Sequence, residues 1–256
     1  MATKQATSGG GGAAPGAGAA AGSPAFTGFT PEALQFLADL AANNDRAWFT
    51  PRKAEFERLL KTPMEALCAA LAVTFPRHGV PLTADPRRSP FRIHRDVRFS
   101  KDKSPYKTHH AAGFGWAGAA PGAEGGRESG EGGGGGGYFS MSPGDIYIGG
   151  GMWHPDPARL AAWRRLVDTD PDRVTAVVGA PAFVKEFGEV GGDRLTRVPQ
   201  GFAKDHPHAE LLKLKDVTFG RRLADAEVFS PKLPETIAKS FAKAVPLFEL
   251  LASLPG

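Results

Sequence analysis

The sequence predicts an α+β fold, a single domain in which a small, mainly antiparallel sheet is packed by N-terminal and C-terminal helices. Three observations lead there. Apolar residues recur at helical spacing before residue 76 and again after Asp156, and between these regions the period drops to two. The strand-like segments follow one another without a helix-length connection, which suits hairpins and not parallel crossovers. The resulting order of helices, strands and helices is an α+β signature.

Two segments cannot contribute to a core. Residues 1–25 and 117–137 are rich in Gly and Ala and contain almost no large apolar side chains, so burial cannot offset their ordering entropy. Both are expected to be disordered, the first as a tail and the second as an enlarged hairpin loop. The domain is expected over 26–254, a length that one core can organise.

The elements follow in order. Thr30-Pro31 has the form of an N-cap and first-turn proline, and Leu34, Leu37, Leu40 and Ala41 form an apolar stripe. Asn43-Asn44-Asp45 ends that helix and caps Arg46–Phe49. A long helix follows Pro51, with Phe56, Leu59 and Leu60 on one side. Pro63 starts a further piece ending near Phe75-Pro76. About four strands are expected, at 91–99, 111–116, 138–141 and 145–148. Asp156-Pro157 and Asp170-Pro171 each open a helix, Ala182–Phe187 is a short one closed by Gly188, and His206-Pro207 precedes another. Ser230-Pro231 starts the last helix, which Pro246 should kink.

The densest chemistry lies in FRIHRDVRFSKDKSPYKTHH, residues 91–110. Between Arg87 and Lys107 there are eight Lys or Arg against Asp96 and Asp102, about +6, whereas the whole chain is only +4. So local an excess points to an anion site. Read as a strand, 91–99 carries Phe91, Ile93, Arg95, Val97 and Phe99 on one face and Arg92, His94, Asp96 and Arg98 on the other. Arg95, alone on the apolar face, should find a carboxylate or main-chain carbonyls. The following loop adds Lys101, Lys103, Tyr106 and Lys107. Candidate ligand-binding residues are therefore Arg92, Arg95, Arg98, Lys101, Lys103, Tyr106 and Lys107. His154, Tyr106 and Asp96 are the candidate acid–base groups.

A second candidate surface is Gly149–Asp156, where a strand passes through glycines into a helix start whose amides favour anions. It is neither a GxGxxG motif nor a P-loop. If both surfaces serve one ligand, Arg92, Arg98, Lys103 and Tyr106 should converge on this turn.

Other classes are less favoured. Cys68 is the only cysteine, so no internal disulfide or multi-Cys metal site exists. Its apolar helical context reads as core. No His spacing matches a metal motif, and no metal is expected. No run of about 18 apolar residues is evident and no signal-peptide core is seen, so a cytoplasmic protein away from membranes is expected. Nucleic acid is a weaker partner than a small anion, because no helix-turn-helix, RRM or KH signature accompanies the patch.

Four segments together resemble the family called domain of unknown function 2461: FTPEALQFLADLAANNDRAWF, FRIHRDVRFSKDKSPYKTHH, GGGMWHPDPARLAAWRR and FGEVGGDRLTRVPQGFAKDHP. The resemblance covers about 26–254. It implies a soluble one-domain protein of bacteria and fungi and carries no settled activity. His94 stands where that family's motif has a tyrosine, which argues against a catalytic His94. The two glycine-rich segments are peculiar to this chain. Three readings stay open: a module or enzyme for a small phosphorylated or carboxylated anion, a nucleic-acid binder using the same patch, and arginines paired internally with acids such as Glu32, Asp39 or Asp193.

Overall fold

A computed structural model describes residues 25–98, 100–117 and 135–255. The tail 1–24 and residues 118–134 of the glycine-rich insert lie outside these.

Helix α1 (Pro31–Ala42) begins with Pro31 in its first turn and buries Ala33, Phe36, Leu37 and Leu40. Its buried face is turned slightly from the expected stripe: Phe36 replaces Ala41, which is exposed. Asp45 caps α2 (Arg46–Phe49) by accepting the Trp48 amide at 2.8 Å. A 3-10 turn (Thr50–Arg52) leads to α3 (Lys53–Phe56), a π-type turn (Glu57–Lys61) and α4 (Thr62–Arg77). Pro63 explains the widened turn. It has no N–H to donate, and its ring would press on the Leu59 carbonyl of a regular helix. The stretch Arg46–Arg77 is, by length and composition alone, long and apolar enough to cross a membrane, and half of its most apolar window is buried within the fold, as in a core helix.

The sheet has five strands in the order β1 (Leu82–Thr83), β2 (His110–Trp116), β3 (Gly135–Ser142), β4 (Asp145–Met152) and β5 (Val217–Arg222), every neighbouring pair antiparallel. Its inner face presents Ala112, Phe114, Phe139, Met141, Ile146, Ile148, Val217 and Phe219, all buried. Phe114 packs edge-on against Phe75 of α4, with ring centroids 5.3 Å apart. Phe219 meets Phe187 at 4.7 Å. The C-terminal helices α10 (Leu233–Ala242) and α11 (Val245–Ala252) complete this core through Phe241 and Phe248. Pro246 separates them outright where a kink was expected. Between β4 and β5 stand α5 (Pro157–Thr169), α6 (Pro171–Val178), α7 (Pro181–Phe187) and the single turn α8 (Ala209–Leu212), with α9 (Asp225–Val228) after β5.

Three expectations about strands are corrected. Of the expected strand 91–99, the described residues 91–98 do not form a regular strand. Two isolated bridges mark the segment's path, Pro90 with Ala112 of β2 and His94 with Tyr106 in the segment before β2. Pro90 lacks an amide and Pro105 ends the partner's ladder, so the pairing breaks into single bonds: Phe91 N–H to Ala111 O, Lys107 N–H to Ile93 O and Arg95 N–H to Pro105 O. Strand β5 was missed, because its Val217/Phe219 alternation is short and directly follows a helical-looking run. Finally, β3 takes up Gly135, Gly136 and Gly137, which the sequence reading had assigned to the insert.

Candidate functional site

The basic hairpin that the sequence singles out holds itself together. Arg95 pairs with Asp102, and Arg98 forms a two-pronged pair with Asp96, its Nη2 2.6 Å from Oδ2. Lys103 donates to the Val97 carbonyl at 2.9 Å. Both carboxyls are held well below the usual range, first by the arginine bonds; for Asp96 the value falls to about 2. Arg95 and Arg98 are thus paired with acids of their own hairpin and not with Glu32, Asp39 or Asp193. Arg95 was expected on a buried face. Its side chain is 30% exposed and that of Asp102 57%, so solvent screens the pair and it adds little stability. Lys101 is exposed at the tip. Tyr106 is a core residue: it is buried and stacks on Phe49 with centroids 4.2 Å apart. Asn44 clasps its main chain, donating to Tyr106 O at 2.9 Å and accepting its N–H at 3.0 Å.

The expected convergence on Gly149–Asp156 does not occur. The register pairs Met152 with Gly135 at one end of the sheet and His110 with Met141 at the other. Six residues of strand, roughly 20 Å, separate those rows, and the basic hairpin continues beyond the His110 end. The amides at the β4–α5 turn are also already engaged by carboxylates. Buried Asp216 accepts the His154 N–H at 2.6 Å, and Asp156 caps α5 by accepting the Arg159 N–H at 2.9 Å. Two anionic groups at a helix start oppose a third. His154 is exposed with φ of 47°, a backbone state rarely populated by residues other than glycine. It neighbours no candidate residue of the hairpin.

What remains near the hairpin is the outer face of the sheet. Strand parity places Ala111, Gly113 and Gly115 along one side of it, all three buried, and Lys107 and His109 lie in the irregular segment that leads into β2. Across from the three β2 residues run Ser140, Tyr138 and Gly136 of β3, then Tyr147, Gly149 and Gly151 of β4. Glycine is needed under the tyrosines. A Cβ on Gly220 would sit 2.0 Å from the Tyr147 hydroxyl oxygen, and one on Gly149 would sit 2.7 Å from its ring. The Tyr147 ring therefore lies flat on the sheet, its hydroxyl donating to Phe219 O at 3.1 Å. Tyr138, directly opposite Gly149, hydrogen-bonds Ser140 through its side chain and meets Phe91 with centroids 6.0 Å apart. Burial pushes both phenols above their ordinary pKa.

Positive charge borders this surface. The Lys107 ammonium sits 5.5 Å from the Phe91 ring centroid, in cation–π range. Its pKa is lowered by burial and then by the Arg92 guanidinium. His109, also half-buried, is lowered by burial and then by Lys107. Phe91 is therefore a contact of this face and not the core residue its sequence position suggests, while Phe99 lies outside the described residues. No sequence pattern flagged Tyr138, Tyr147 or His109. The available signal was a tyrosine together with a run of glycines in each of two successive strands, β3 and β4. Among the described residues, no group of three or more His, Cys, Asp or Glu is placed to hold a metal ion.

Comparison with known proteins bears on identity. No curated protein and no solved structure matches the chain. Residues 32–250 match a family described as conserved hypothetical protein (DUF2461). That span takes in the basic hairpin, all five strands and the β4–α5 turn. The chain belongs to the DUF2461 family.

Proposed function

We propose that the protein binds a small phosphorylated or carboxylated anion at the β2 side of the outer sheet face, with Lys107 and Arg92 as its cationic contacts. The carrying observation is the placement of Lys107, half-buried with its ammonium 5.5 Å from the Phe91 ring centroid, next in the chain but one to half-buried His109 and near the Arg92 charge. Desolvation and like charge both disfavour an ammonium there. A small anion held between Lys107 and Arg92 would favour the charged form of both. The other basic residues serve differently: Arg95, Arg98 and Lys103 brace the hairpin, and Tyr106 anchors it to the core.

Thermal unfolding in the presence of inorganic phosphate at moderate salt tests this. Ligand at a hundredfold excess over its Kd stabilises by about 2.7 kcal/mol, roughly 5–10 °C for a domain of this size. Lys107→Met keeps the stem that packs on Phe91 and should remove the shift. Equal shifts in wild type and Lys107→Met, or no shift with phosphate or simple carboxylates, would contradict the reading. A strong response confined to oligonucleotides would move the assignment to nucleic acid.

A further inference from the structure

We propose that Asn44, in the corner between α1 and α2, is a positioning residue for the anion site: it holds the main chain at Tyr106 and so sets where Lys107 and His109 stand. This rests on the anion reading above and adds the residue that places its cationic segment. His94 and Tyr106 form an antiparallel bridge whose bonds run between their neighbours, Arg95 N–H to Pro105 O at 2.9 Å and Lys107 N–H to Ile93 O at 2.7 Å. In such a pair the N–H and C=O of Tyr106 itself face the opposite edge. There they meet one side chain. Asn44 Nδ2 donates to Tyr106 O at 2.9 Å, and Asn44 Oδ1 accepts the Tyr106 N–H at 3.0 Å. The carboxamide stands in for a neighbouring strand, because it carries a donor and an acceptor side by side on one planar group.

The corner is itself rigid, and its three residues divide the work. Asn43 closes α1, its N–H donating to Asp39 O at 3.0 Å. Asp45 caps α2 through the Trp48 N–H. Both helix ends are thus served by the flanking residues, and the side chain between them reaches 62 residues along the chain to Tyr106. Phe49 of α2 stacks on the Tyr106 ring with centroids 4.2 Å apart, which already fixes the hairpin to the core. The clasp adds something that a ring contact lacks: it fixes the direction of the backbone leaving Tyr106. Lys107 follows directly and His109 two residues later, before β2 opens at His110. Pro105 has no amide to contribute, so on the 91–98 side this stretch is held by single bonds. Without the clasp, two buried main-chain groups would lack partners and Lys107 would lose its fixed starting point.

Isothermal titration of inorganic phosphate into the full chain tests the inference, at a temperature where every variant compared is folded. Asn44→Leu keeps the side-chain size and removes both bonds, and it should raise the phosphate Kd about tenfold. Its amide shifts at Lys107 and His109 should also move before any phosphate is added. Arg221→Met, which loosens the inner face of β5 instead, should bind phosphate as the wild type does and leave those two amides in place. If Asn44→Leu does not fold, Asn44→Ser, a smaller change, is read in the same way. Wild-type phosphate affinity in the Asn44 variant, or an equal loss in Arg221→Met, overturns this inference and leaves the anion reading standing. A wild type that binds no phosphate overturns the anion reading and this inference with it.

Discussion

Gly220→Ala probes the outer face through its most crowded point. The new methyl would lie 2.0 Å from the Tyr147 hydroxyl oxygen and 2.2 Å from Cζ, and also 2.6 Å from the Ile148 carbonyl oxygen. Tyr147 can swing away, but the carbonyl belongs to the sheet and cannot. Displacing the tyrosine gives up the 3.1 Å bond to Phe219 O, about 1 kcal/mol. Forcing a methyl against backbone adds roughly 1–3 kcal/mol. Restricting the unfolded chain returns about 0.4–1 kcal/mol. The net expectation is a loss of about 2 kcal/mol, seen as a lower urea midpoint with an unchanged m-value, or a fall of roughly 4–8 °C in Tm. A neutral or stabilised Gly220→Ala protein would refute the placement of Tyr147 on a glycine floor.

Two further predictions concern the core. Burial lowers His110 to about 4, so the folded protein resists its protonation while the unfolded chain takes up the proton near pH 6.5. Stability should therefore be full above about pH 6.5 and decline as pH falls towards 4, by on the order of 3 kcal/mol in all. His110→Gln should flatten that slope in pH-resolved urea unfolding, and an unchanged slope would assign the effect to other groups. Arg221, on the inner face of β5, joins Glu186 at 2.9 Å and Glu227 at 3.0 Å, with Ser240 close by. Arg221→Met should cost about 2 kcal/mol in the same assay, since it takes one cation from the largely buried Glu186, which keeps Lys243 and Ser240. A loss below about 1 kcal/mol would show the network to be solvent-screened.

The fold class was legible because it depends on periods and caps that are local. Asp45, Asp156 and Asp170 each accept an amide three residues on, as their positions before the helices suggested. What failed depends on partners distant in sequence. The alternation at 91–99 looked like a strand, yet Pro90 and Pro105 deny it a continuous ladder. Pro63 looked like a helix start, yet packing continues the helix through it with one widened turn. The site was legible only as charge. Arg92 and Lys107 remain in it. Arg95, Arg98 and Lys103 turned inward to Asp102, Asp96 and Val97, since local carboxylates reach a short hairpin more readily than a ligand does. Tyr138 and Tyr147 join the same face through strand register, which no spacing within either strand discloses.

Amide chemical shifts followed while phosphate is titrated into the protein test the central claim most directly. The account predicts saturable changes centred on Lys107, His109, Ala111 and Ser140, absent in Lys107→Met. Changes centred on the hairpin tip near Lys101, or on the His154–Asp156 turn, would contradict it.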